Sequence, residues 1–407
     1  MTATHRNVSY LNELGLICAL GNDRREVAAA LLAGESAGMQ VQAGWVPGRS
    51  LPVGTVKARL AAIPDKRHDT RNNRLLLAAA TQIDPAIRAA IQRYGAARVA
   101  VVLGTSTSGI QETTQGVRHH SLHGRLPEGF HYSHQELSDP AVYLADHYEL
   151  AGPTYVISTA CTSSGRALQS ARRLLDLGLC DAVLCGGVDS LCELTLNGFG
   201  ALEAVSDQPC NPFSANRQGI NIGEGAALFL MTREPGAVAL LGCGASSDAH
   251  HISAPEPQGR GAREAMRKAL AEAGLQPEQI AYLNLHGTAT VHNDAMESLA
   301  VSAEFPAGVP CSSTKPLSGH TLGAAGALEA AFCWLLLGEH NPERRLPPQR
   351  WDGVADAQLP KLNLVSDDAP RLPDAGPRYL MSNSFAFGGN NISLILGEMS
   401  KDSGVTR

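Results

Sequence analysis

Short apolar runs rich in β-branched residues recur along this chain, separated by stretches with helical periodicity. That alternation limits the possible folds more than any other feature. Strands are expected at Val99–Leu103, Tyr155–Ser158, Ala182–Cys185, Ala226–Met231, Val238–Cys243, Ala281–Leu285, Tyr379–Ser382 and Ile392–Leu396. Helices are expected at Arg24–Ala33, Asn73–Arg93, Pro140–His147, Ser164–Leu177, Gly261–Ala273, Asp294–Ala303 and Gly323–Leu337. The pattern favours a layered α/β protein with a mostly parallel, buried sheet. A turn at Arg233-Glu234-Pro235-Gly236 divides the chain into comparable halves, 1–234 and 235–407, with no internal identity strong enough to define a repeat. Asn341–Pro348 and Asp367–Pro377 read as surface connections, and Lys401–Arg407 as a frayed tail.

Composition narrows the function. At 407 residues, 44% hydrophobic and 18% charged, the chain can bury a large core and is not disordered. A net charge of −6 supplies no global drive toward nucleic acid or anionic membranes, so neither is expected as a partner. The nine cysteines are scattered without a CxxC pair, which argues against a zinc cluster or a disulfide framework and suits a reducing compartment. Met1-Thr2-Ala3-Thr4-His5-Arg6 lacks the apolar core of a signal peptide, and Ala330–Leu337 is too short to cross a bilayer. A cytoplasmic location is expected.

Four segments place polar residues where strands end in glycine-rich turns, the part of open α/β folds that binds ligands. The first is Thr159-Ala160-Cys161-Thr162-Ser163-Ser164-Gly165, which puts Cys161 at a strand-to-helix elbow. The positive end of a helix dipole lowers a thiol pKa, so a nucleophilic Cys161 is expected. A buried small hydrophobe is the plain alternative. The others are Asn284-Leu285-His286-Gly287-Thr288-Ala289-Thr290, Ser312 to His320 running into Gly323-Ala324-Ala325-Gly326, and Ser382-Asn383-Ser384-Phe385-Ala386-Phe387-Gly388-Gly389-Asn390.

Together, in this order, these blocks resemble the active-site motifs of β-ketoacyl–acyl carrier protein synthases, the condensing enzymes of fatty acid and polyketide synthesis. The likeness is to the elongating type with one cysteine and two histidines, and covers roughly 104–397. It implies a thiolase-like fold, two βαβαβαββ halves in five α-β-α-β-α layers. It implies Cys161 as acyl acceptor, His286 and His320 as donors to an enolate oxygen through the same imidazole nitrogen, and the Cys161 and Phe387 amides as an oxyanion site. Lys315 and Glu329 resemble a buried pair that organises the electrostatics, and Phe387 a gating phenylalanine. Thr288 and Thr290 resemble threonines that bind the phosphopantetheine arm of a carrier. Ser246 to His251, including Asp248 and His251, resembles a second gating loop. Asp294 and Glu297, three apart on a helix, are implied as supporting groups, although such a pair is ordinarily a solvated face.

The resemblance implies no bound cofactor, with substrates delivered by an acyl carrier protein, and a homodimer, or a heterodimer with another ketosynthase subunit. The adjacent His250 and His251 have no third ligand nearby in sequence, so no metal is expected. Carrier proteins are acidic, so a basic patch is expected at Lys66, Arg67, Arg71 and Arg74, or at Arg118 and Arg125. Some positions depart from the family pattern: Ala289, Val291-His292-Asn293, Ala386, Asn390, and Thr107, which stands where a bulky apolar residue shapes the acyl pocket. These resemble the ketosynthases of aryl polyene pigment clusters. A non-catalytic chain-length partner is the alternative, disfavoured by the presence of Cys161, His286 and His320. A thiolase or initiating synthase is disfavoured by the second histidine.

Overall fold

The computed structural model describes residues 8–35, 37–368 and 371–399, so the residues read as a leaderless start and a frayed tail lie outside the described residues. The chain begins with β1 (Ser9–Cys18), α1 (Arg24–Ala33) and a hairpin of β2 (Met39–Val46) and β3 (Arg49–Gly54). It continues through α2 (Arg71–Gln82), α3 (Asp84–Tyr94), β4 (Val99–Gly104), α4 (Ile110–His123), α5 (Asp139–His147), β5 (Thr154–Ile157) and α6 (Ser163–Asp176). Next come β6 (Ala182–Asp189), α7 (Glu193–Ala201), β7 (Gly225–Thr232), β8 (Val238–Ser247), α8 (Arg260–Ala273), β9 (Ile280–Asn284) and α9 (Val291–Glu304). Last are β10 (Pro310–Ser312), α10 (Lys315–Ser318), α11 (Ala325–Leu337), β11 (Asn363–Leu364), β12 (Tyr379–Phe385) and β13 (Asn390–Glu398).

Local chemistry explains where these elements begin and end. The Asp23 carboxylate accepts from the amides of Arg25 and Glu26 to start α1, and Gly34 ends it at φ +66°. The single helix expected over 73–93 is two, because Pro85 has no N–H to give the Thr81 carbonyl and sits where it is tolerated, in the first turn of α3. Helix α4 has no continuous apolar stripe and α7 contains Gly198 and Gly200, so periodicity marked neither.

The strands form one eleven-stranded sheet in the order β11-β10-β9-β12-β13-β8-β1-β7-β6-β4-β5, with β2 and β3 apart. Only two residue pairs, Ser9 with Leu240 and Tyr10 with Ala239, join β1 to β8 at its centre. Outward from that joint, both halves repeat one sequence of steps. In the first, β1, β7 and β6 pair antiparallel, then β6, β4 and β5 pair parallel. In the second, β8, β13 and β12 pair antiparallel, then β12, β9 and β10 pair parallel. The sheet is thus mixed rather than mostly parallel. The topological repeat is present without the sequence identity that would have announced it.

Helices α6 and α11 lie between the two halves, in one core cluster with strand residues such as Phe229, Leu394 and Leu396. Helix α11 is apolar on nearly every face (Ala325 to Leu337), as a helix surrounded by protein must be. Helices α2, α3 and α5 cover the outer face of the first half, and α8 and α9 that of the second. This is the five-layer arrangement expected.

The layers meet closely at the carboxyl ends of β4 and β6. A Cβ on Gly104 would lie 2.2 Å from the backbone nitrogen of Ser164, and one on Gly187 2.5 Å from the Ser164 Cβ. The carboxyl end of β4 therefore touches the first turn of α6. Gly104→Ala should cost roughly 2–3 kcal/mol by overpacking, read as a lower denaturant midpoint with unchanged slope.

Candidate active site

Residues 158–162 connect β5 to α6, and Cys161 sits one residue before the helix N-cap Thr162. The elbow turns sharply at Ala160, a non-glycine residue at φ +52°. Ser163 secures it: its hydroxyl donates to the Ala160 carbonyl at 2.6 Å and accepts from the Thr159 amide at 2.9 Å. The Cys161 sulfur is held at the floor of a cavity of about 480 Å³ whose walls include His286, His320, Thr288, Thr290, Phe199, Phe385 and Phe387.

His320 Nε2 lies 3.0 Å from Cys161 Sγ. On the other side of its ring, Nδ1 accepts from the Leu322 amide at 3.3 Å, so the proton belongs on Nε2. His286 Nδ1 lies 3.4 Å from Lys315 Nζ, and an ammonium can only donate, so here too Nε2 carries the hydrogen. The two rings meet edge to face, with centroids 5.4 Å apart. Burial and the Lys315 charge hold both imidazoles far below their ordinary pKa, hence neutral. Cys161, His286 and His320 bring their ligand atoms within 4.8 Å of one another, a donor set that could hold a metal ion. In these tautomers, however, the cavity meets two N–H donors rather than imidazole lone pairs.

Lys315 and Glu329 pair at 2.5 Å, both about 2% exposed. Burial raises the Glu329 carboxyl, against the pull of Lys315. Glu297 accepts from the backbone amides of His286 and Gly287, both at 2.7 Å. Asp294 accepts from the Phe213 amide at 2.7 Å and the Ala289 amide at 3.2 Å. Neither carboxylate is on a solvated face: both are fully buried, and each fixes the turn that carries His286 and Thr288.

The expected depression of the Cys161 pKa does not occur. Burial pushes the thiol up to about 12, with Lys315 and the backbone amides of Cys161 and Phe387 pulling it down and Glu329 pushing it further up. The elbow's helix end is local, but a sulfur 5% exposed pays first for lost water.

This arrangement coincides with the family comparisons. Residues 14–237 match the model of the beta-ketoacyl synthase N-terminal domain, and residues 237–348 that of its C-terminal domain. The chain belongs to the β-ketoacyl synthase family. It is 31% identical to nodulation protein E of Rhizobium meliloti, over 94% of this chain and 96% of that protein. It is also 31% identical to 3-oxoacyl-[acyl-carrier-protein] synthase 1 of Haemophilus influenzae, over 95% and 98%. Among solved structures it resembles a ketosynthase (ApeO) in complex with its chain length factor (ApeC) from Xenorhabdus doucetiae, with TM-score 0.91 and 47% identity over 98% of this chain and 100% of that one.

Other candidates are placed less simply in this ketosynthase. Thr288 and Thr290 line the cavity, their hydroxyls 2.9 Å apart, and His251 lies at its wall. Asp248 does not line it. Instead its amide donates to the Gly389 carbonyl at 2.8 Å and its carboxylate accepts from Asn391 at 2.7 Å, tying its loop to that of Phe387. Thr107 is buried away from the cavity because its amide and hydroxyl both donate to Asp189, each at 2.9 Å. Asp189 also accepts from Thr105, Ser106 and Ala324, joining β4, β6 and the approach to α11. An aspartate in an apolar strand gave no local sign of this role.

The basic patch is largely neutralised. Arg71 grips the fully buried Glu224, with its Nε 2.6 Å from one oxygen, and Arg74 grips Asp69 at 2.7 Å. Lys66 and Arg67 are exposed but pair with Asp69 and Asp65, and Arg118 with Glu193. Each of these five cations meets a carboxylate that sequence spacing did not weigh, whereas the exposed Arg125 has no ion pair among the described residues.

Glu297 generates a pH prediction. Burial lifts its pKa to about 7, above its unfolded value, so the native state binds more protons between about pH 4.5 and 7. Relative to Glu297→Gln, wild-type stability should fall as pH rises through that window and level off above it, read by denaturant unfolding at several pH values. A buried pair broken on one side is costlier: Lys315→Met should lose about 3–5 kcal/mol, measured the same way.

Proposed function

We propose that this chain is the catalytic subunit of a decarboxylative condensing enzyme, a 3-oxoacyl-[acyl-carrier-protein] synthase. The observation that carries the reading is the pair of neutral imidazoles with Nε2–H groups in one cavity with the Cys161 sulfur, His320 Nε2 being 3.0 Å from it.

In the first step the Cys161 sulfur attacks the carbonyl carbon of an acyl thioester. The resulting oxyanion is held by the amides of Cys161 and Phe387, the two backbone groups that pull the pKa of this sulfur down. The carbon–sulfur bond to the carrier breaks, and the departing thiolate takes the proton Cys161 gives up. That exchange suits a thiol whose resting pKa is high, since no free thiolate need accumulate. The acyl enzyme is then neutral.

In the second step a malonyl thioester loses its carboxyl group as CO₂. The electron pair of the broken bond moves onto the thioester oxygen as an enolate. His286 and His320 donate from Nε2 to that oxygen, and burial, helped by the Lys315 charge, holds both rings neutral so that they act as neutral donors. The enolate carbon attacks the acyl-cysteine carbonyl, the bond to Cys161 breaks, and the sulfur leaves as a thiolate that takes up one proton from water, the proton consumed overall when the malonyl carboxylate becomes CO₂. The product is a β-ketoacyl carrier thioester two carbons longer.

Thr288 and Thr290 would hold the phosphopantetheine arm, which arrives on its carrier. Three phenylalanine rings, Phe199, Phe385 and Phe387, line the cavity and suit a planar unsaturated chain, in line with the departures noted in the motifs. The 47% identity to a ketosynthase bound to its chain length factor supports a heterodimer with a second ketosynthase-fold subunit, in which this chain supplies the cysteine and both histidines. A homodimer is the simpler assembly.

The test is product analysis with malonyl carrier and a competing mixture of saturated, unsaturated and aryl acyl carriers. A β-ketoacyl product two carbons longer supports the reading, and its preferred primer identifies the substrate class. Cys161→Ala should abolish condensation while retaining malonyl decarboxylation. His286→Ala or His320→Ala should lower decarboxylation about 10²–10³-fold. Retained condensation in Cys161→Ala would overturn the proposal.

A further inference from the structure

Phe387 does not stand alone over the nucleophile. Its ring meets that of Phe199 with centroids 5.4 Å apart and planes inclined 60°, an edge-to-face contact across the cavity. Apart from this contact the loop is held through its own backbone groups, one of them the Gly389 carbonyl, which accepts from the Asn391 side chain at 3.3 Å. The Gly388 amide donates to the Ile252 carbonyl and the Asp248 amide to the Gly389 carbonyl, each at 2.8 Å. Gly388 and Gly389 both lie at positive φ, +83° and +76°, so the segment can change direction on either side of them. Gly388 is exposed, with open space where a Cβ would go.

Phe199 is held quite differently. It projects from α7 and packs against a buried cluster that includes Leu51, Leu196, Ile220 and Leu322. Helix α7 is fastened at its N-terminal end and along one flank. Gln111 accepts from the Glu193 amide at 2.8 Å, Arg118 pairs with Glu193, and Asn197 donates to the Trp45 carbonyl at 2.8 Å. One ring thus belongs to a rigid wall and its partner to a loop built to swing. Their contact is the one side-chain aromatic pairing recorded for Phe387 among the described residues.

We propose that Phe199 is a positioning residue, an aromatic catch that holds the Phe387 loop over Cys161. With the catch closed, the Phe387 amide stays beside the sulfur and the cavity stays dry. Opening the loop requires the edge-to-face contact to be given up, so Phe199 sets how often Cys161 can be reached. Planar groups of an incoming chain could replace the lost ring contact, whereas a saturated chain offers no such edge. The inference rests on the condensing reading for its purpose, but its test reads access to Cys161 and fails or succeeds independently of condensation.

The experiment is the rate of Cys161 alkylation by iodoacetamide at fixed pH, followed by mass spectrometry of the Cys161 peptide, with thermal unfolding run on each variant. Edge-to-face pairs have a strength that translates to about two- to tenfold in an opening equilibrium. Phe199→Ala and Phe199→Leu should both raise the alkylation rate by about that factor, and Phe199→Tyr should stay close to wild type. Leucine keeps apolar bulk, so it answers the question even if the alanine variant unfolds. An unchanged rate in the leucine variant, or a rise in the tyrosine variant equal to that in leucine, would overturn the proposal.

Discussion

Helices α6 and α11 pass each other between the two halves of the sheet at a point where neither has a side chain to spare. A Cβ on Gly326 would lie 2.8 Å from the Gly165 nitrogen, and the Ser164 hydroxyl accepts from the Ala327 amide at 2.8 Å. Because the crossing is that close, the first turn of α6, with Cys161 just before it, meets the approach to α11, with His320 just before that. Asp189 reinforces the joint by accepting from Thr107 on one side and Ala324 on the other. The nucleophile of one half and the histidines of the other share a cavity because the helices that follow them share a contact.

That closeness buries Lys315, His286 and His320, and the electrostatics follow. Lys315 is a cation 1% exposed, tolerable only because Glu329 pairs with it at 2.5 Å. Its uncancelled influence falls on the two imidazoles, which burial already disfavours as cations. They stay neutral, and the lone pair at Nδ1 of His286 turns toward the ammonium. The Glu297 carboxyl fixes the backbone of His286 rather than its ring, so it offers the imidazole no proton acceptor. Burial, one charge and one turn thus determine which nitrogen faces the substrate.

The surface shows the same economy in reverse. Four cations between Lys66 and Arg74 read as a docking patch, yet Asp65, Asp69 and Glu224 take them up. Asp65 and Asp69 lie within a few residues in sequence, whereas Glu224 comes from the start of β7. Arg71 therefore ties the start of α2 to the sheet. Exposed pairs such as Lys66–Asp69 contribute little, about 0–1 kcal/mol, and leave both charges partly available to solvent.

The four glycine-rich blocks were legible as chemistry because each is a continuous run whose residue types serve a single turn. Alternation likewise disclosed the layered fold, since strand and helix periods are properties of neighbours along the chain. The tertiary structure alone decided what depends on distant partners: the antiparallel steps of the mixed sheet, Asp189 drawing Thr107 away from the cavity, Glu224 claiming Arg71, and Phe199 meeting Phe387 from a helix with no clear periodicity. It also decided the protonation of Cys161. A helix end can be read from sequence, but desolvation depends on everything packed around the sulfur, and in this cavity it outweighs the local field.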